Sequence, residues 1–349
     1  MLRQKGHAAG ESLFRVIVDQ FLAREMHPER DVAQFERLAL GLMERLDTET
    51  IATVARQLCV HPETPRSIVV KLYEMGGRTA LIALEFAPKI SSDDLLVRAE
   101  HGASEEAAAI ARRIDLDHGI ISALASRREV EILWSLAANR RAFFDPVTLC
   151  ALTLAGRDDL RLGRILLDRG ESALDIEPLF LAANHMERAA IILEATKSAF
   201  VDSAADAAPK ASGAAIAKAL ERAALAGGLE AAADVLTDAL DCGRSLALAI
   251  LADKSGEALA LALVVFGVSE EAAIRVLLRA DSRIVYDVAR VRSLVGLMRF
   301  IPLHAAKRIV ASMTGTMYVR KEPPCRGPIS DVANPSYSSG VISRLASVA

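Results

Sequence analysis

The stretch "SLAANRRAFFD" (residues 135–145) decides how this chain reads: an apolar run stops abruptly in Asn-Arg-Arg, then restarts on two aromatic residues and an Asp. Upstream, "AAIARRIDLDH" (108–118) does nearly the same thing. Where a helix ends just before such a polar cluster, Ile110, Leu136, Leu166 and Ile192 mark equivalent positions, separated by 26, 30 and 26 residues. Three of the four corners lead into a hydrophobic-plus-Asp restart: "IDLDHGII" at 114, "AFFDPVTL" at 142 and "SALDIEPL" at 172.

Two short helical patterns fit between successive corners. The first of each unit carries an apolar stripe at the helical period: Val69, Leu72, Tyr73; Leu95, Leu96, Ala99; Ile120, Ile121, Leu124; Leu149, Leu152; Leu179, Phe180, Ala183. The second helices are "SEEAAAIARR" (104–113), "REVEILWSLAANR" (128–140), "DDLRLGRILLDR" (158–169) and "HMERAAIILEA" (185–195). The first three of these open on acidic residues and close on Arg, matching charge to the helix dipole at each end. Pro65, Pro146 and Pro178 sit near helix starts, where a missing N–H costs nothing. A two-helix unit of this length cannot bury its stripe alone, but stacked copies can. The expected fold is therefore all-α, a HEAT-like α-solenoid of stacked antiparallel helix pairs.

Around that array, residues 1–64 read as an N-terminal helical cap and 65–197 as the HEAT-like repeats. Residues 198–215 read as a linker or frayed helix, 216–318 as C-terminal helical repeats or a bundle, and the Pro-, Gly- and Ser-rich 319–349 as a disordered tail. Gly228, Gly243 and Gly267 fall where glycines that follow a helix end belong.

Composition supports the helical reading, with 52% hydrophobic but only 4% aromatic residues in a chain of 349. With 42 Lys and Arg against 45 Asp and Glu, the net charge of −3 creates no global field for a polyanion. Cys59, Cys150, Cys242 and Cys325 lie more than eighty residues apart with no C-x-x-C pair, which suits a reducing cytoplasm better than a disulfide framework. The N-terminus lacks the apolar stretch of a signal peptide. The longest apolar run, "ALALALVVFGV" (258–268), is about half of the ~20 residues a membrane span needs.

The run "ISSDDLLVRAEHGASEEAAAIARRIDLDHGIISALASRREVEILWSLAANRRAFFD" resembles a bacterial family defined as domain of unknown function 2336. Its members carry "LSDxDLL", "IAxRxxLS" and "ALVxRGDxEVVxxLxxN" in succession. "ADKSGEALALALVVFGVSEEAAIRVLL" is similar to the family's C-terminal segment, so the resemblance spans most of residues 10–315. It implies a HEAT-like helical fold and carries over no catalytic residue. The chain departs from the pattern where Asn139 is followed by Arg140 and Arg141 instead of Pro or Gly.

Arg113, Asn139 and Arg169 stand at equivalent corner positions, each three residues past its marker. Stacking would set them on one edge about 10 Å apart. There they either grip an acidic partner through guanidinium forks or simply close their own helices against the dipole. Trp134, the only tryptophan, is either an interface anchor or ordinary packing beside Leu133 and Leu136. His101 and Glu105 read as a solvated pair, and the acidic doublets at 93–94, 105–106, 158–159 and 270–271 as helix starts. No catalytic, metal-binding, phosphate-loop or nucleophile-elbow motif stands out, and no cofactor is expected. The leading expectation is a cytoplasmic, non-catalytic protein-binding scaffold whose partner meets Arg113, Trp134, Asn139, Arg140 and Arg169. The alternatives are a nucleic-acid-binding array and a helical small-molecule binder or enzyme with a pocket near residues 196–215.

Overall fold

A computed structural model describes residues 2–201, 213–280 and 287–316, and among them every regular element is a helix. Eleven α-helices come first: α1 Leu2–Leu22, α2 Glu29–Met43, α3 Thr48–Val60, α4 Arg66–Glu74, α5 Gly77–Phe86, α6 Ser92–His101, α7 Ser104–Ala111, α8 His118–Ser126, α9 Val130–Ala138, α10 Pro146–Asp158 and α11 Leu160–Arg169. A single 3-10 turn, Glu177–Leu179, precedes α12 His185–Val201, α13 Gly213–Leu240, α14 Arg244–Ala252, α15 Glu257–Val265, α16 Glu270–Ala280, α17 Val288–Phe300 and α18 Leu303–Thr314. The expected tail at 319–349 lies outside the described residues, as does the middle of the expected linker. The linker's two ends close α12 and open α13.

The helix starts follow from side-chain chemistry. Asp47, Ser91, Asp117, Asp145, Asp159 and Asp287 each accept a hydrogen bond from a backbone N–H two or three residues on, satisfying donors that a helix's first turn leaves orphaned. The hydrophobic-plus-Asp restarts are therefore capping signals: Leu116 and Phe144 sit one residue before Asp117 and Asp145. Three of the four acidic doublets fall in first turns, and in the fourth Asp158 ends α10 while Asp159 caps α11.

Contacts between helices run in two relays. Along one, α3 touches α5, α5 touches α7, α7 touches α9 and α9 touches α11; along the other, α6 touches α8, α8 touches α10 and α10 touches the 3-10 turn. Sequence neighbours α4–α5, α6–α7, α8–α9 and α10–α11 pack on each other as well. α10 and α11 cross closely: a Cβ on Gly163 would lie 2.7 Å from the Gly156 carbonyl oxygen and 2.8 Å from the Ala182 Cβ. Only glycine lets the two backbones approach so closely.

The pattern changes after α11. Leu179, Phe180 and Ala183 are buried as the apolar stripe predicts, but the only regular element there is the 3-10 turn Glu177–Leu179, which Phe180 ends. Asn184 Oδ1 accepts from the N–H groups of Met186 and Glu187, while Glu187 Oε2 accepts from the Asn184 N–H. This capping box starts α12 at His185. In the C-terminal part, α18 packs against α15, α12 and the 3-10 turn, and α13 against α14 and α16.

Burial is continuous along the chain. One apolar cluster runs from Phe14 to Ala87, a second from Leu84 to Ala142 and a third from Leu133 to Met313. The first crosses the boundary expected at residue 64, so α1–α3 share a core with α4 and α5.

Of the three glycines expected to follow helix ends, Gly228 and Gly267 adopt positive φ (69° each), Gly228 as a kink within α13. Gly243 instead precedes α14 with φ −65°, and Asp241 takes the left-handed conformation at φ 53°. Arg128, between α8 and α9, is also left-handed at φ 56° although exposed. An L side chain is disfavoured there, so Arg128→Gly is expected to raise stability by about 0.5–1 kcal/mol, read as a higher urea midpoint at unchanged slope.

Candidate functional site

The corner residues singled out by spacing do come together, and their polar groups turn inward. Arg113 is 2% exposed. Its Nη1 donates to the carbonyl of Leu84 (2.6 Å), Nη2 to that of Ala87 (3.0 Å), and Nε and Nη2 grip Asp115 (2.8 and 2.7 Å). One unit on, Asn139 Nδ2 donates to the carbonyls of Ala111 (2.9 Å) and Arg113 (2.6 Å). At the next, Arg169 Nη1 donates to Ala137 (3.0 Å) and Asn139 (2.6 Å), Nη2 to Ala142 (2.8 Å), and Nε to Glu171 (2.7 Å). Each rung thus closes the last carbonyls of the second helix in the preceding unit: α5, then α7, then α9.

The sequence reading anticipates closure of each residue's own helix or a grip on an outside molecule. The structure gives a third arrangement, in which each side chain closes the helix one unit earlier. The physical reason is burial: Leu84, Ala87, Ala111, Ala137 and Ala142 are all sealed from water, so their carbonyls need a donor brought to them. Arg serves two carbonyls and a carboxylate at once through its planar fork.

Arg127 is a rung that the spacing overlooks. Its Nη1 reaches the carbonyls of Gly102 (2.8 Å) and Ala99 (3.3 Å) at the end of α6, and its other nitrogens hold Glu129. The Ser104 hydroxyl and Arg127 keep the Glu129 carboxyl below the usual carboxylate range. The signal was present in the letters: Arg113, Arg127 and Arg169 are each followed two residues later by an acid, Asp115, Glu129 and Glu171.

Trp134 is half-buried between α9 and α11, with Nε1 donating to Asp159 Oδ2 (2.9 Å) and the Arg161 guanidinium 3.9 Å from its ring centroid. That is a clamp between neighbouring helices. Arg140 and Arg141 are exposed; Arg140 Nη2 lies 3.3 Å from the Asp168 carbonyl, and the Arg141 N–H donates to Asn139 Oδ1 (3.0 Å). His101 pairs with its neighbour Glu100 at 3.6 Å rather than with Glu105.

A second buried ionic cluster was not anticipated. Arg188 of α12 donates to the carbonyls of Ala183 (2.9 Å) and Leu181 (3.0 Å), to Asp253 (2.8 and 3.2 Å), to Glu257 (3.4 Å) and to the Ser255 hydroxyl. Arg290 Nη2 lies 3.3 Å from the other Glu257 oxygen. Asp253, Ser255 and Glu257 are 65 to 69 residues from Arg188 in sequence, and no local spacing marks them.

Glu187 receives both Nη groups of Arg164 at 2.7 Å, and these bonds hold its carboxyl below the ordinary range despite partial burial. Its folded-state affinity for a proton is lowered, so its stabilisation is full above the unfolded value near 4.5 and fades as the pH falls through the folded one. Glu187→Gln is expected to lose about 1 kcal/mol at neutral pH, and the gap to the parent chain should close in acid when urea midpoints are compared.

Burial pushes the Cys59 thiol up to about 12 against the opposing influence of Arg113. Among the described residues Cys59 is buried and Cys242 half-buried, and both are free thiols. Among the described residues no group of three or more His, Cys, Asp or Glu is arranged to hold a metal ion. No described helix is long and apolar enough to cross a membrane. A cavity of about 100 Å³ lies at the kink of α13, lined by Leu220, Gly228, Ala232, Leu251, Val276 and Arg279. It is smaller than the roughly 300–1,000 Å³ of typical ligand pockets, and none of residues 196–201 or 213–215 lines it.

A family model described as "Uncharacterised protein conserved in bacteria (DUF2336)" matches residues 79–311, about two thirds of the chain. The chain belongs to the DUF2336 family. The DUF2336 segment starts inside α5 and ends inside α18, so it contains every rung from Arg113 to Arg169 and the Arg188 cluster. No curated protein and no solved structure matches this DUF2336 chain.

Proposed function

We propose that the chain is a non-catalytic protein-binding scaffold, built over α3–α11 as a HEAT-like α-solenoid of stacked antiparallel helix pairs. The observation that carries this reading is the ladder of Arg113, Asn139 and Arg169, each joined to the unit before it. Two contact relays, α3 to α11 and α6 to α10, support it. Such bonding fixes one unit against the next and leaves a row of corners on the outside, a framework suited to extended contact with another protein. Affinity capture of the full chain from its native host, with cross-linking and stringent washing, tests it. Recovery of a stoichiometric protein partner is expected, and recovery of none counts against the scaffold.

A nucleic-acid-binding reading draws on the exposed Arg112, Arg128, Arg140 and Arg141. A gel-shift titration separates the two, because nucleic-acid binding would weaken steeply between 50 and 200 mM salt, by about 10³-fold or more if six phosphates are contacted.

A further inference from the structure

The ladder leaves one face of each corner unused. The residue that follows the last carbonyl of a rung is Pro88 after Ala87, Ile114 after Arg113 and Phe143 after Ala142. All three are apolar and exposed, Ile114 by 80% and Phe143 by 89%. The hydrogen bonds that seal the carbonyls hold these neighbouring residues in place, so the apolar row repeats with the ladder.

The charges around that row are not balanced in their availability. Asp115, Asp168 and Glu171 are paired with Arg113, Arg164 and Arg169, while Asp117 and Asp145 accept from the Ile120 and Thr148 N–H groups as helix caps and keep their charge. Arg112 is paired with Glu85 at 2.7 Å. Arg140 and Arg141 stand in solvent beside Phe143, with only a 3.3 Å contact from Arg140 to a carbonyl. Among the described residues, Arg140 and Arg141 pair with no acid, and they stand next to an aromatic and an aliphatic side chain.

We infer that the edge through Ile114, Arg140, Arg141 and Phe143 binds an extended acidic segment of a partner protein, its apolar side chains seated on Ile114 and Phe143 and its carboxylates forked by the two arginines. This rests on the scaffold reading and adds the chemistry of the partner. Exposed aromatic and Arg groups are the side chains that most often anchor interfaces, and Arg forks match carboxylates in two-point geometry. Helix layers repeat at about 10 Å and an extended strand rises about 3.3 Å per residue, so the seated apolar residues would stand about three apart. A nucleic acid fits less well, since Ile114 and Pro88 give no stacking surface for bases.

The test places benzoylphenylalanine, a photo-crosslinking amino acid, at position 143 of the full chain in its native host, with the same probe at the exposed Phe300 as control. Adducts are mapped to the partner peptide by mass spectrometry. From position 143 the expected adduct is a segment bearing acidic and apolar residues, with its yield cut at least ten-fold by Arg140→Glu with Arg141→Glu. Overturning results are an adduct that survives both substitutions, a segment without acidic residues, a nucleic-acid adduct, a second copy of this chain, or no adduct. Adducts at 300 without any at 143 would overturn this edge and leave the scaffold standing; adducts at neither, with no partner captured, would remove both. Circular dichroism melting of the doubly substituted chain, expected within a few degrees of the parent, separates loss of contact from loss of fold.

Discussion

Arg113→Met is expected to lower the unfolding free energy by about 3–5 kcal/mol, although methionine fills much of the same space. The carbonyls of Leu84 and Ala87 would be left buried without their donor, at about 1–3 kcal/mol each, and Asp115 would lose its fork. Arg113→Lys is the informative companion: it keeps the charge, but an ammonium cannot serve two carbonyls and a carboxylate in the planar arrangement, so most of the loss should remain. Urea titrations followed by circular dichroism read both. A loss below about 1 kcal/mol for the Met variant would mean that Arg113 is incidental to the ladder.

Arg188→Met is expected to cost a similar amount, about 3–5 kcal/mol, by a different route. Glu257 is buried and Asp253 half-buried beside it, and removing the guanidinium takes from both carboxylates their shared partner, leaving Arg290 beside Glu257. Urea titrations followed by circular dichroism read the loss, and a loss below about 1 kcal/mol would mean that the cluster is incidental to the packing of α12.

Much of the fold was legible because helix starts and stops are written in local chemistry. The Asp residues at 117, 145 and 159 cap the helices they precede, and the marker spacing located α7, α9 and α11 to within two residues. α5, "GRTALIALEF", escaped because it lacks an acidic opening and follows Gly76 in a left-handed turn. For the corners, spacing correctly grouped Arg113, Asn139 and Arg169. It could not show which carbonyls they reach, because dipole matching is the same whether a side chain serves its own helix or the one before. The Arg188 cluster was illegible for a plainer reason: its acids belong to a loop and a helix start brought near only by the packing of the C-terminal helices.

The ladder also has a polarity. Each of its side chains lies later in the chain than the carbonyls it closes, by 25 to 32 residues. During synthesis, a newly emerged hairpin would therefore remain unsealed until its successor left the ribosome. Shortening the gene from its 3′ end would strip the terminal pair of its closure, whereas shortening it from the 5′ end would strand a cation that no longer has oxygens to receive it.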